Sequence, residues 1–247
     1  MKAIVLAAGY ATRLYPLTLN KAKALLPLAG KPILNYLMDE LDKLPLLDEV
    51  FIVSNDRFAQ DFDAWKKAQN YRVRITVVND GTKSDETKLG AIGDMELVIR
   101  KYLLNEDLLV IAGDTYFTFK LIDFYHFFER CQRDCLLVKE INDNKQLQRM
   151  GVVEIDSRNQ IIGFEEKPQV PKSNKASFAG YIYLQSTLPL IKNYLSKGLN
   201  PDAPGNFPAW LYKIKEVYAY SFNGDCFDIG TPESYQEVDA IVKKNFA

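Results

Sequence analysis

The sequence predicts an α/β fold: a mostly parallel sheet covered on both faces, followed by a smaller mixed lobe. Two observations carry this reading. Short, continuously apolar runs alternate with amphipathic segments through the first half, the rhythm of βαβ units. The second half changes to short alternating strands separated by Pro- and Asn-rich loops.

Residues 2 to 7 read as a buried strand. Residues 33 to 44 read as a helix with Ile33, Leu34, Leu37, Met38, Leu41 and Leu44 on one face. A second strand is expected over 48 to 54 and a second helix over 57 to 69. A third strand follows at 72 to 78, alternating through Val73, Ile75 and Val77. The polar loop NDGTKSDETK leads to a helix near 89 to 102, and DLLVIAGD is a further buried strand. Beyond it, GVVEI and QIIGF flank the turn DSRN as a hairpin, and SFAGYIYL and VYAYSF are strands. A closing helix begins at Pro232, a favoured first-turn residue, and runs to about Asn245. The chain is expected to form one domain over 1–247. It is expected to divide into a first part to about 120 and a second part over about 121–247.

The 247 residues are 47% hydrophobic and 26% charged, with a net charge of -1. No overall basic field recruits nucleic acid or a membrane surface, so any anion binding is local. No apolar run is long enough for a membrane span, and Lys2 is followed by too few apolar residues for a signal peptide. Three cysteines without paired spacing suit a reducing cytosol, and a cytoplasmic location is expected. Cys131 and Cys135 could share a helical face, but with one more cysteine and one histidine they do not compose a zinc site.

The stretch LAAGYATRLYPLTLNKAKALLPLAGKP, residues 6 to 32, places small residues at 7, 8, 9 and 11 directly after the first strand. Backbone N–H groups at such a turn attract anions, and small residues admit a close approach. Arg13 offers a planar fork for phosphate oxygens and Lys23 a point charge. A tight βα turn with solvated lysines fits the spacing equally well. The pattern is neither GxGxxG nor the Walker loop. Asp114 lies where the buried strand VIAGD leaves the sheet, the edge at which ligands bind in open α/β sheets; it is also placed to cap a turn. Asp228, in CFDIGTPESY, is a second such carboxylate. Two aspartates from separate strands suit one Mg²⁺, which completes its shell with phosphates and water. In GFEEKP, Lys167 is a cation fixed ahead of a proline.

Taken in order, these blocks resemble the sugar-1-phosphate nucleotidylyltransferases. The opening stretch resembles the signature small-Gly-x-Gly-Thr-Arg-Leu…Pro-Leu-Thr…Pro-Lys-x-Leu-Leu-Pro…Lys-Pro. AGD at 112–114 is similar to the metal aspartate motif, GVVEIDSRNQIIGFEEKP to the sugar-site segment, and FDIGTPESY to the motif of the second metal aspartate. EKPQVPKSNKASFAGYIYL is similar to the glucose-1-phosphate thymidylyltransferases. The fold implied is Rossmann-like, a mostly parallel mixed sheet flanked by helices with a smaller mixed β sugar-binding lobe.

The resemblance implies catalytic roles for Arg13, Lys23, Asp114, Lys167 and Asp228, with Mg²⁺ on Asp114 and Asp228. Leu6, Ala8, Gly9, Arg13, Lys23, Asn79, Gly81 and Gly90 would contact the nucleotide. Lys167 would grip the sugar phosphate, and Gly151, Glu166 and Gly180 would line the sugar pocket. The resemblance also implies that the part to about 120 binds nucleotide, and that the second part binds sugar and supplies a second metal ligand. The reaction implied joins an NTP, dTTP or UTP first, to glucose 1-phosphate. Another base or phosphate specificity is the alternative, and a non-catalytic nucleotide-binding relative is a third. No nucleic acid or membrane partner is expected, and a homo-oligomer is left open. Where the signature has its second glycine the chain has Ala11, and Ala22 replaces the proline before Lys23. Loop 79 to 90 is longer and more acidic than the family's compact version. The single histidine, His126, sits in an aromatic helical run without an acid–base partner pattern. The closing helix is read as the end of a single-activity chain without an appended acyltransferase domain.

Overall fold

A computed structural model describes residues 1–245 of the chain. In chain order its elements are β1 (Lys2–Leu6), β2 (Pro27–Leu28), β3 (Lys31–Pro32), α1 (Ile33–Leu41), β4 (Glu49–Ser54), α2 (Ala59–Lys67) and β5 (Arg74–Asn79). Then come α3 (Ala91–Tyr102), β6 (Leu108–Ala112), β7 (Thr115–Phe117), α4 (Leu121–Cys131), β8 (Asp134–Glu140), α5 (Asn144–Leu147), β9 (Gly151–Ile155) and β10 (Ile161–Glu166). The chain finishes with β11 (Lys175–Tyr183), α6 (Leu188–Ser196), α7 (Asn206–Leu211), β12 (Val217–Ser221), β13 (Cys226–Asp228) and α8 (Pro232–Asn245). The fold class is the expected α/β, with small antiparallel sheets beside the main one.

Two compact units are interleaved along the sequence. The first takes residues 1–88, 112–121 and 224–247; the second takes 89–111 and 122–223. Asp228 and the closing helix thus belong with the N-terminal strands, and α3 belongs with the second unit.

In the first unit β1 pairs in parallel with β4, and β4 with β5. Every residue of β4 is buried, which is why EVFIVS carries no polar alternation. Beside these strands, β7 and β13 form a short antiparallel pair in the register Thr115↔Asp228, Tyr116↔Phe227 and Phe117↔Cys226. A cluster of Leu14, Leu28, Ile33, Tyr116, Ile229 and Val242 packs beneath this pair, with Phe227 and Tyr235 against it. The signature loop, the two-strand ribbon and α8 therefore share one apolar floor.

The second unit is antiparallel around β11. That strand pairs with β6, β8 and β9, while β9 pairs with β10. The hairpin expected around DSRN is β9–β10, with a bulge between Ile161 and Gly163. Strand β12 runs parallel to β8. The β8–β12 pair was not anticipated, since RDCLLVKE is short and its partner lies far along the chain.

At the start of β8 sits a polar hub. Asp134 is fully buried, receives hydrogen bonds from Leu184 N and Thr187 Oγ1 at 2.8 Å, and pairs with Lys215 Nζ at 2.9 Å. Removing only the ammonium leaves a buried carboxylate short of its counter-charge. Lys215→Met is therefore expected to cost about 3–5 kcal/mol, read as a lower urea midpoint with an unchanged slope. A loss below half of that would show that Thr187 and the backbone suffice.

Candidate active site

Strand β1 ends at Leu6 and the chain turns through Ala7 to Ala11. Among the described residues, the backbone N–H groups of Gly9, Tyr10 and Ala11 have no protein acceptor. The turn is held from below. Asn55, fully buried after β4, donates to Ala8 O at 2.9 Å and accepts from Phe58 N. Thr18, also fully buried, donates to Ala11 O at 2.8 Å. Ala11 has φ 48, the left-handed conformation, which explains why a glycine suits this position. An L-residue there costs roughly 1–2 kcal/mol, and Thr18 fixes the strained peptide.

Lys23 opens the 3₁₀ turn Lys23–Leu25 and is only 8% exposed. Its Nζ lies 2.8 Å from Asp114 Oδ2 and 3.5 Å from Asp228 Oδ1. Ala22, just before it, takes φ -60 and ψ 140, which is the conformation a proline would impose. A proline's fixed φ would fit this backbone, so alanine here follows a path proline could also take.

Asp114 follows β6 in the turn AGD. A Cβ on Gly113 would meet Val5 Cγ1 at 2.6 Å, so the motif's glycine lets this turn press against β1, where Gly113 N donates to Leu6 O at 2.9 Å. The register Thr115↔Asp228 then delivers the second carboxylate beside the first. A cleft of about 130 Å³ results, lined by Leu6, Gly9, Arg13, Lys23, Asp114 and Gly230 among others. Pockets enclosing a whole ligand hold roughly 300–1,000 Å³; this one is smaller.

The nucleotide residues expected from the sequence divide accordingly. Leu6, Gly9, Arg13 and Lys23 line the cleft; of the two expected metal ligands, Asp114 lines it too and Asp228 reaches its lysine. Ala8 contributes its carbonyl to Asn55 and is outside the lining. The Asn79 amide is engaged with Asp56 Oδ1 at 2.7 Å and Gly81 N at 2.8 Å, so it braces the loop after β5. Gly90 has a packing role. At φ 77, its Cβ position would lie 2.6 Å from Pro201 O. The first N–H groups of α3, on Ala91 and Ile92, donate to Asp202 O and Pro201 O.

In the second unit, Glu166 ends β10 with its carboxylate over two glycines. A Cβ on Gly151 would come within 2.9 Å of Glu166 Oε2, and one on Gly205 within 2.6 Å. Burial raises the Glu166 pKa, and the neighbouring Lys167 only partly offsets it. Lys167 is exposed at φ 52, a left-handed turn that ends the strand, with its N–H donating to Met150 O at 3.0 Å. Gly180 meets Leu137 of β8, whose Cδ1 would lie 2.3 Å from an added Cβ. Sequence reasoning missed Asn55, Thr18 and Gly205. Thr18 lay inside the quoted signature, whereas Asn55 and Gly205 carried no pattern. His126 is exposed on α4, in ring contact with Tyr125.

A family model described as nucleotidyl transferase matches residues 2–245. The chain belongs to that family, the sugar-1-phosphate nucleotidylyltransferases.

It is 30% identical over 242 residues to a Sulfolobus acidocaldarius protein provisionally named mannose-1-phosphate guanyltransferase, covering 97% of this chain and 62% of the other. Identity to the bifunctional protein GlmU of Methanocaldococcus jannaschii is 29% over 232 residues, covering 94% and 52%. The chain thus spans between half and two thirds of these relatives' length. A solved Bacillus anthracis structure with sucrose, provisionally named glucose-1-phosphate thymidylyltransferase, superposes with TM-score 0.81 at 26% identity, covering 98% and 95% of the two chains. Among the described residues, no helix is long and apolar enough to cross a membrane.

Two outcomes follow for the glycine and the buried acid. Gly90→Ala is expected to cost about 1–3 kcal/mol in chemical denaturation; full stability would mean the Pro201 contact yields. For Glu166 the folded pKa lies above the unfolded value. Its contribution is fully present below the unfolded pKa, near 4.5, and is lost as pH rises through the folded value. Glu166→Gln should therefore gain stability relative to the parent as pH rises from acid to neutral. A constant difference across that range would contradict the burial effect.

Proposed function

We propose that this chain transfers a nucleotidyl group: NTP plus sugar 1-phosphate gives NDP-sugar plus pyrophosphate, with dTTP or UTP and glucose 1-phosphate the first pair to test. One observation carries the reading. Arg13, Lys23 and Asp114, distant in sequence, line one small cleft of the first unit, and Asp228 reaches the same lysine.

The sugar phosphate oxygen is already anionic at neutral pH, so the reaction needs no general base. That agrees with a site without histidine. The bond formed joins this oxygen to the α-phosphorus of the nucleotide, and the bond broken releases pyrophosphate. Because all reactants are anions, catalysis consists of neutralising and orienting charge. Arg13, with the free N–H groups of Gly9 to Ala11, binds phosphate oxygens of the nucleotide. Lys23 stabilises the departing pyrophosphate. Lys167 binds the sugar phosphate, and Glu166, with Gly151 and Gly180 in the same unit, contacts the sugar.

Asp114 and Asp228 fit a hard divalent cation. Two carboxylates already converge on one positive charge, and Mg²⁺ takes one or two carboxylates with phosphate oxygens. When bound, Mg²⁺ neutralises phosphate charge.

A different base or phosphate specificity is the second reading. Its support is that the named relatives include guanyl-, thymidylyl- and adenylyltransferases.

The test is pyrophosphate release by the purified protein with Mg²⁺ across the five common nucleoside triphosphates and several sugar phosphates. At least one pair should turn over, and no release from any pair would overturn the activity. Asp114→Asn and Asp228→Asn should each lower the rate by on the order of 10²–10³, with Lys167→Ala close behind. Near-normal turnover in Asp114→Asn would remove the metal role.

A further inference from the structure

Outside the nucleotide cleft, two sulfurs meet where α4 gives way to β8. Helix α4 ends on Cys131, and Gln132 takes φ 49, the left-handed turn that closes many helices. Cys135, the second residue of β8, is thereby folded back onto the helix's last turn. The pair therefore does not share one helical face; it bridges a helix end and a strand.

The Sγ atoms are 3.2 Å apart, within hydrogen-bond reach of each other, against roughly 2.05 Å for a bonded pair. Cys135 Sγ also lies 3.1 Å from Arg133 O, and Cys131 Sγ approaches Phe128 O at 3.6 Å. The two differ in access. Cys135 is 1% exposed, whereas Cys131 is half-buried. The hydrogen bond from Cys135 holds the Cys131 thiol down to about 7, against the opposing effect of burial, while burial pushes Cys135 far up. At neutral pH the thiolate is therefore the accessible sulfur, the arrangement of an attacking and a resolving cysteine. Among the described residues no third His, Cys, Asp or Glu completes a metal-binding group, so the geometry favours redox chemistry over a metal.

We propose that Cys131 and Cys135 form a redox modification site whose reactant is a hydroperoxide. The Cys131 thiolate attacks one peroxide oxygen, the O–O bond breaks, and water leaves after protonation, giving a sulfenic acid at Cys131. The Cys135 sulfur then attacks that sulfur, an S–S bond forms, and the hydroxyl leaves as water with the Cys135 proton. Two thiols and one hydrogen peroxide become one disulfide and two waters; sulfur is oxidised and peroxide reduced.

The test treats the purified full chain with stoichiometric hydrogen peroxide, blocks free thiols, digests with trypsin and measures masses. Cleavage after Arg130, Arg133 and Lys139 separates the two cysteines. The expected product joins peptides 131–133 and 134–139, two hydrogens lighter than their sum, and separates on reduction. Cys226, half-buried in β13, should stay available to alkylation. In Cys135→Ser, dimedone should trap the sulfenic acid at Cys131. The proposal is overturned if both thiols stay free, if Cys226 reacts as fast as Cys131, or if Cys131 is over-oxidised while Cys135 remains alkylatable.

Discussion

One ammonium between two carboxylates is the constraint around which the first unit is organised. Asp114 and Asp228 repel each other, and Lys23 Nζ lies 2.8 Å and 3.5 Å from them. Each partner reaches that point by a separate device. Lys23 is brought in by a 3₁₀ turn whose preceding residue follows a proline-like path. Asp114 is turned inward because Gly113 presses against β1. Asp228 is carried by a strand of three residues, too short to be stable without the apolar floor of Leu28, Ile33, Tyr116 and Val242. Loss of the packing beneath would therefore separate the charges above.

The alternation of elements was legible because buried parallel strands are continuously apolar and helices repeat every three to four residues. The β1, β4, β5 set and the β9–β10 hairpin lie close to their expected bounds. The β7–β13 and β8–β12 pairings were not legible, since both join short segments far apart in sequence with no turn to fix their register. The same physics divides the site. Arg13, Lys23, Asp114 and Asp228 could be chosen as charges placed at strand ends and turns. Asn55, Thr18 and Gly205 act through contacts made only after folding, and a buried amide, a hydroxyl or a glycine has no distinguishing spacing.

The two family departures illustrate the difference between chemistry and backbone. At Ala11 the requirement is a left-handed φ, which alanine meets at a cost and which Thr18 stabilises from a buried position. At Ala22 the requirement is a φ near -60, which alanine reaches freely. Neither substitution removes a charge from the cleft. Gly90 shows that one position can carry a second demand: it also admits the Pro201 carbonyl at a distance a Cβ would not tolerate.

The late position of Asp228 has a consequence for the growing chain. Residues 224–245 complete a unit whose other parts are made first. Until they leave the ribosome, Lys23 can pair with Asp114 alone, and the apolar floor lacks Ile229, Val238 and Val242. The cleft is thus completed only once these residues have emerged, and until then Lys23 lacks the second of its two carboxylates.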